Sequence, residues 1–177
     1  MKKGGLTRLE RFIARTVGQR ACIDAAATSV AGGAGALAGD VWEVGLGNGR
    51  TYDHLRDRFA GRDIVVFDRE IAAHPDCIPP SSLMRLGDFR ETVPAEVERR
   101  AGRVAVIHAD VGTANVEKSR AMGRWLTPHF IRALAPGGFL IGDQPMDDPA
   151  LAPIALADVA GAGDLPADAY FFYRRRD

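Results

Sequence analysis

The stretch Val41-Trp42-Glu43-Val44-Gly45-Leu46-Gly47-Asn48-Gly49-Arg50-Thr51 constrains the fold more than any other. It opens as a short apolar run, passes through Gly-x-Gly-x-Gly and continues into Tyr52, Leu55 and Phe59 at helical spacing. A strand that turns through glycines into a helix brings bare backbone close to a ligand and presents the free N–H groups of a helix N-terminus. The dinucleotide fingerprint Gly-x-Gly-x-x-Gly would place its third glycine at position 50, which is Arg50 here; the third glycine, Gly49, comes one residue early.

The rest of the chain repeats this strand-then-helix grammar. Strands are expected at residues 40–44, 64–67, 83–86, 104–107 and 139–141, and a last one at 170–173. Helices are expected at 50–60, closed by Gly61, at 94–100 with Pro94 opening it, and at 115–134 with Pro128 kinking or splitting it. Pro136-Gly137-Gly138 reads as a turn, and residues 149–159 as a helix weakened by Pro153. Before the first strand, Leu6, Leu9, Phe12, Ile13 and Val17 predict an amphipathic helix to about residue 27, with a break near Gly18. It would pack on a sheet or cover a pocket as a lid, and residues 31–39 form a loop.

This alternation predicts an α/β fold: a Rossmann-like, mostly parallel sheet with helices on both faces and an antiparallel last strand. With one strand recognised after Ile141, the C-terminal end is expected to be short. Ligands of such sheets bind beyond the strand C-termini. The glycine turn, Asp68, Asp88, Asp110 and Asp143 all fall just past predicted strands. The 177 residues read as one domain, a 1–39 helical extension followed by a 40–177 core.

Lys plus Arg and Asp plus Glu each number 23, so net charge is zero, which speaks against nonspecific binding to nucleic acid or an anionic membrane. Cys22 and Cys77 read as free thiols of a reducing cytoplasm. Arg8, Glu10, Arg11 and Arg15 interrupt any signal-like apolar region, and no apolar run approaches the ~18 residues of a membrane span. His74, Asp76 and Cys77 read as a polar loop, and Arg174 to Arg176 as a solvated charge run.

Glu43-Val-Gly-Leu-Gly-Asn-Gly49, Phe67-Asp68, Gly87-Asp88-Phe89, Ile107-His-Ala-Asp110 and Leu134-Ala-Pro-Gly-Gly-Phe-Leu-Ile141 together resemble the motifs of the class I S-adenosylmethionine-dependent methyltransferases. The chain also resembles a small bacterial branch of that superfamily, through its Gly-Leu-Gly-Asn-Gly-Arg-Thr-Tyr-Asp-His string. The resemblance implies S-adenosyl-L-methionine as cofactor and in-line methyl transfer. A small-molecule acceptor is expected, with no nucleic-acid or membrane partner given the zero net charge and the absence of a long apolar run. A homodimer is the base-rate oligomer.

It further implies roles for individual residues. Gly45, Gly47 and Gly49, with Leu46, Asn48 and Thr51, would pass along the methionine part. Glu43 would hold that loop or meet the cofactor's ammonium. Asp68, beside Arg69, would accept from the ribose hydroxyls, because one carboxylate has acceptor sites for both. Asp88 would accept from the adenine amino group with Phe89 near the ring, and Asp110 would lie near the methyl. Asp110, His54, His108 and Asp143 are the candidate bases.

Catechol-type enzymes of the superfamily hold magnesium with an Asp after strand four and an Asp-Asn pair after strand five. Here Gln144 replaces that Asn and Thr113 replaces their lysine, so no metal is expected. Two other classes use such a sheet: a nicotinamide-dependent oxidoreductase and a non-catalytic cofactor-binding module.

Overall fold

The computed structural model describes residues 5–32 and 36–177. The first helix, α1 (Arg8–Ala31), starts at a capping box in which the Thr7 side chain accepts from Glu10 N–H and the Glu10 carboxylate accepts from Thr7 N–H. It runs unbroken through Gly18, where the missing side chain makes room: a Cβ there would lie 3.2 Å from the Tyr170 Cβ. Its buried face is Ala14, Gly18, Ala21, Cys22, Ile23, Ala26, Ala27 and Val30. The stripe expected to pack on the sheet is on the outside instead, with Leu9 67%, Phe12 54% and Ile13 51% exposed. Small residues let α1 lie close to the sheet, and the bulky ones are left at its free end.

Strand β1 (Asp40–Val44) leads through the glycine turn into α2 (Arg50–Arg58), followed by β2 (Ile64–Asp68), a 3₁₀ turn at Pro75–Cys77 and β3 (Met84–Leu86). Helix α3 (Phe89–Arg100) begins earlier than expected, because the Asp88 side chain caps it by accepting from Arg90 N–H at 2.9 Å, leaving Pro94 inside. Then come β4 (Val104–Ala109), α4 (Val116–Ala133), β5 (Leu134–Gly142), β6 (Leu151–Ile154) and β7 (Phe171–Arg175). Helix α4 is a single helix through Pro128. Pro136 to Gly138, expected as a turn, are taken into β5 as a bulge, where the register with β4 jumps from Val104↔Leu134 to Val106↔Phe139.

The strand order is β3-β2-β1-β4-β5-β7-β6, parallel except for β7, which is antiparallel to both of its neighbours. Residues 149–159 therefore hold a strand and not the expected helix. β6 pairs only with β7 at the sheet edge, where Pro153 forfeits no ladder bond on a second side.

Strand residues alternate between two apolar layers. Val41, Val66, Val106, Ile141 and Phe172 join the layer under α1 and α2. Trp42, Val65, Phe67, Ile107, Leu140 and Tyr173 join the layer under α3 and α4.

One ionic cluster ties α3 to the sheet. Glu96 is 1% exposed and accepts from Arg85 at 2.7 Å and Arg100 at 2.7 Å, while Arg100 also pairs with Asp40 at the start of β1. Burial pushes the Glu96 carboxyl up, but the hydrogen bonds and charges of Arg85 and Arg100 outweigh it and hold the pKa below the usual range. Glu96→Ala leaves the guanidinium groups of Arg85, Arg99 and Arg100 without their buried partner and is expected to cost about 3 kcal/mol in a urea melt, the low end of the range because all three arginines reach water. The depressed pKa means this stabilisation is present above the unfolded carboxylate value near ~4.3 and disappears as pH falls through the folded one. The gap between wild type and variant should therefore close in melts run at progressively lower pH.

Candidate active site

A cleft of about 880 Å³ opens at the C-terminal ends of β1, β2 and β4. Gly45 to Asn48 and Thr51 form one side and Asp68 and Arg69 the next, with Phe89 and Arg90 behind them. Asp110 to Thr113 and Met122 complete it. A second cleft of about 430 Å³ lies between α1 and α2, lined by Phe12, Gln19, Arg20, Ile23, Arg50 and His54 among others. Arg15, Asn48, Thr51 and Asp110 line both and so form the boundary between them.

The three glycines of the turn do different work. Gly45 (φ 99°) lets β1 close on β4: a Cβ there would lie 2.2 Å from the Asp110 carbonyl oxygen. Gly49 (φ 84°) is the N-cap of α2, and a Cβ there would lie 2.4 Å from the Cys77 Cβ. Only at Gly47 (φ 49°) would a Cβ meet nothing within 4 Å, so its face is open to the cleft. Asp68 fixes this loop, its Oδ2 accepting from Gly47 N–H at 3.0 Å and its Oδ1 from Arg69 N–H at 2.6 Å. A carboxylate with about four acceptor positions still has two for a ligand hydroxyl pair. Asn48 steadies the turn, its Oδ1 accepting from Arg50 N–H at 3.2 Å. Leu46 is buried and gives the cleft only its edge.

Asp110 carries the site's central charge. Both its oxygens lie 2.5 Å from the Arg15 guanidinium, and Gln19 donates to it at 3.2 Å. Behind it runs a buried chain. Glu43 and His108 are both 0% exposed, with Glu43 Oε2 2.5 Å from His108 Nδ1. His108 Nε2 is 2.7 Å from the Tyr170 hydroxyl and 3.1 Å from the Gln19 amide nitrogen. Burial raises the Glu43 pKa. Burial alone would lower that of His108, but the charge and hydrogen bond of Glu43 outweigh it and raise it. Glu43 Oε1 is buried with no hydrogen-bond partner among the described residues.

Several sequence-predicted residues sit elsewhere than expected. Glu43 borders neither cleft. Asp88 spends one oxygen on the α3 cap and the other on Arg69 at 3.0 Å, and does not line the cleft, whereas Phe89 does. The cap's N–H and the two nearby arginines hold the Asp88 pKa down. Asp143 lies behind the site, accepting from Val111 N–H at 3.1 Å and from Gln144 at 2.9 Å; burial and the Asp110 charge raise its pKa. It shapes the turn after β4 and faces neither cleft. His54 borders the second cleft only, 2.9 Å from Asp24.

No group of three or more His, Cys, Asp or Glu residues among those described converges as metal ligands. Arg15, Gln19 and Tyr170 were missed by sequence reasoning; the one available signal was an acid, Glu43, set into an otherwise apolar strand.

A mixed sheet in this order, with a glycine turn after β1 and an acid closing β2, defines a Rossmann-like methyltransferase fold. The sequence model of the S-adenosyl-L-methionine methyltransferase family matches residues 6–175, and the chain belongs to that family. Its cofactor is S-adenosyl-L-methionine. A crystal structure of an S-adenosyl-L-methionine methyltransferase from Silicibacter pomeroyi DSS-3 is 42% identical, covering 97% of this chain and 99% of that one, with a TM-score of 0.87. The aminoglycoside-resistance methyltransferase NpmB1 shares the fold at 11% identity, covering 97% and 95% of the two chains, with a TM-score of 0.51. No curated protein matches the sequence. Family membership sets aside the oxidoreductase and the non-catalytic module.

One expectation is overturned. NpmB1, an aminoglycoside-resistance methyltransferase, shares this fold, so the fold does not by itself restrict the acceptor to small molecules. The restriction to small molecules without nucleic acid is withdrawn. Its basis was a net charge of zero, and total charge says nothing about the arginines gathered at the clefts. Among the described residues, no helix is long and apolar enough to cross a membrane.

The glycine geometry gives a direct test by thermal melting. Gly47→Ala should retain a cooperative melt at a cost of roughly 1–2 kcal/mol for its left-handed backbone. Gly45→Ala should collapse the fold, since the clash there is with main chain. Equal melting points for the two variants would refute this division of roles.

Proposed function

We propose that the larger cleft takes S-adenosyl-L-methionine and that the methyl acceptor enters by the smaller one. The observation that carries this is the shared boundary: Arg15, Asn48, Thr51 and Asp110 face both volumes. The residues fit the cofactor. Gly47 leaves room against bare backbone, Asp68 and Arg69 sit where the ribose hydroxyls would lie, and Phe89 and Met122 offer apolar surface for the adenine. Bound there, the cofactor supplies an electrophilic methyl group on a sulfonium.

The chain's own contribution is alignment and water exclusion. The Asp110 carboxylate is placed to hold an ammonium or to accept a proton from the acceptor. The Arg15 guanidinium holds its orientation while no ligand competes. Among the catalytic candidates, Asp110 alone borders both clefts. His54 is the second choice because it faces the acceptor side, and Asp143 supports the turn that carries Asp110.

In this reading the whole chain works as one domain, with the N-terminal extension bringing Arg15 and Gln19 to the site. A bacterial cytoplasm suits it: the thiols of Cys22 and Cys77 are unpaired, and burial pushes that of Cys22 up to about 12.

The test is calorimetric titration with S-adenosyl-L-methionine, S-adenosyl-L-homocysteine and NADH. Saturable binding of the first two and none of the third is expected. Asp68→Ala should weaken that binding by about 1.5–3 kcal/mol, the range for hydrogen bonds to a charged group. An unchanged dissociation constant would remove Asp68 from the ribose site.

A further inference from the structure

The smaller cleft has a charge imbalance that the transfer reaction does not require. Its one acid, Asp110, is matched by Arg15. His54 is matched by Asp24, which also pairs with Arg58. Arg56, the next arginine along α2, is paired with Asp53. Arg20 from α1 and Arg50 from α2 line the cleft, and neither side chain has a hydrogen-bond or ion-pair partner among the described residues. Two unmatched guanidinium groups from separate helices thus face one volume of about 430 Å³.

The first turn of α2 lies at the same place, since Arg50 and Thr51 both line the cleft, and it adds the positive end of the helix dipole. Guanidinium groups present paired donors that match a carboxylate or a phosphoryl group. Ile23 and the half-exposed Phe12 add apolar surface to a wall that also carries Thr16, Gln19 and His54.

We propose that the methyl acceptor carries an anionic group, carboxylate or phosphoryl, read by Arg20 and Arg50 on the α1 side of the site. This rests on the cofactor occupying the larger cleft. Phe12 and Ile23 then cover the acceptor's apolar body, and the anion anchors it so that its nucleophile reaches the boundary at Asp110. The same chemistry is supplied by a free acid or phosphate ester and by the backbone of an RNA, and the experiment separates these sources.

The experiment compares the full chain with the double variant R20Q/R50Q, after circular dichroism has shown that both are folded. S-Adenosyl-L-homocysteine is titrated into each, and then benzoate, inorganic phosphate and a short RNA oligonucleotide are titrated into each protein saturated with it. Homocysteine-product affinity should agree within about twofold between the two proteins. Wild type should bind at least one of the three anions, and the variant should bind it at least tenfold more weakly.

Benzoate or phosphate lost in this way marks a free anionic acceptor, and RNA alone lost in this way marks a backbone phosphate. A tenfold loss of S-adenosyl-L-homocysteine affinity in the variant overturns the proposal, because the arginines would then be reading the cofactor's own carboxylate. Anion binding that is absent from wild type, or equal in both proteins, also overturns it. If wild type does not bind S-adenosyl-L-homocysteine at all, the cofactor reading beneath it is the one that fails.

Discussion

A carboxylate and an imidazole, 2.5 Å apart and both sealed from water, sit where the two central strands of the sheet meet. Glu43 and His108 are register partners on β1 and β4. Neither tolerates the interior alone, because burial of an unpaired ionisable group costs several kcal/mol, but together they hold a proton between them. A slip of one residue would turn Glu43 toward the layer of Val65, Phe67 and Leu126, where no partner waits. The pair therefore penalises every register but one. That register also sets where Gly45 lies against the Asp110 carbonyl and where Asp110 N–H meets the Val44 carbonyl at 2.9 Å. The site's floor is positioned by a polar pair that never touches its contents.

The same pair reaches outward. Tyr170 and Gln19 continue it from the strands to the segment before β7 and to α1. The Gln19 amide nitrogen donates to Asp110 and lies 3.1 Å from His108 Nε2, so one side chain touches both the pair and the boundary carboxylate. One hydrogen-bonded chain thus links a buried histidine to the carboxylate at the boundary of the two clefts. Arg15 completes it from one turn earlier on α1, so the helix is held to the site by charge as well as by its small-residue face.

Parallel strands buried on both sides read as unbroken apolar runs, and for that reason β1, β2, β4 and the second half of β5 were legible in the sequence. β6 was not, because a short edge strand containing Pro153 carries the same local signal as a weak helix. The start of α3 was missed for a related reason: Asp88 after a strand serves equally as a ligand acceptor or an N-cap, and only the fold shows that the cap takes it. Within the site, the open face of Gly47, Asp68 and Asp110 followed from their places beyond strand ends. Arg15 and Gln19 did not, since 95 and 91 residues separate them from Asp110 and nothing local marks them. The stripe Leu9, Phe12 and Ile13 had the period of a packed helix face, yet periodicity states only that a face exists and not what covers it.

These contrasts support the proposal that selectivity for the acceptor resides in α1. The strand ends and the glycine turn are occupied by loop anchoring and by the larger cleft, which leaves them little freedom to vary with the acceptor. Helix α1 has that freedom. One face, from Ala14 and Gly18 to Ala27 and Val30, is fixed by close packing against the sheet, while another contributes Phe12, Arg15, Thr16, Gln19 and Arg20 to the smaller cleft. Changes of charge or bulk at Phe12, Thr16 or Arg20 would alter that cleft without disturbing the register lock beneath it. The two faces of one helix thereby separate folding from recognition.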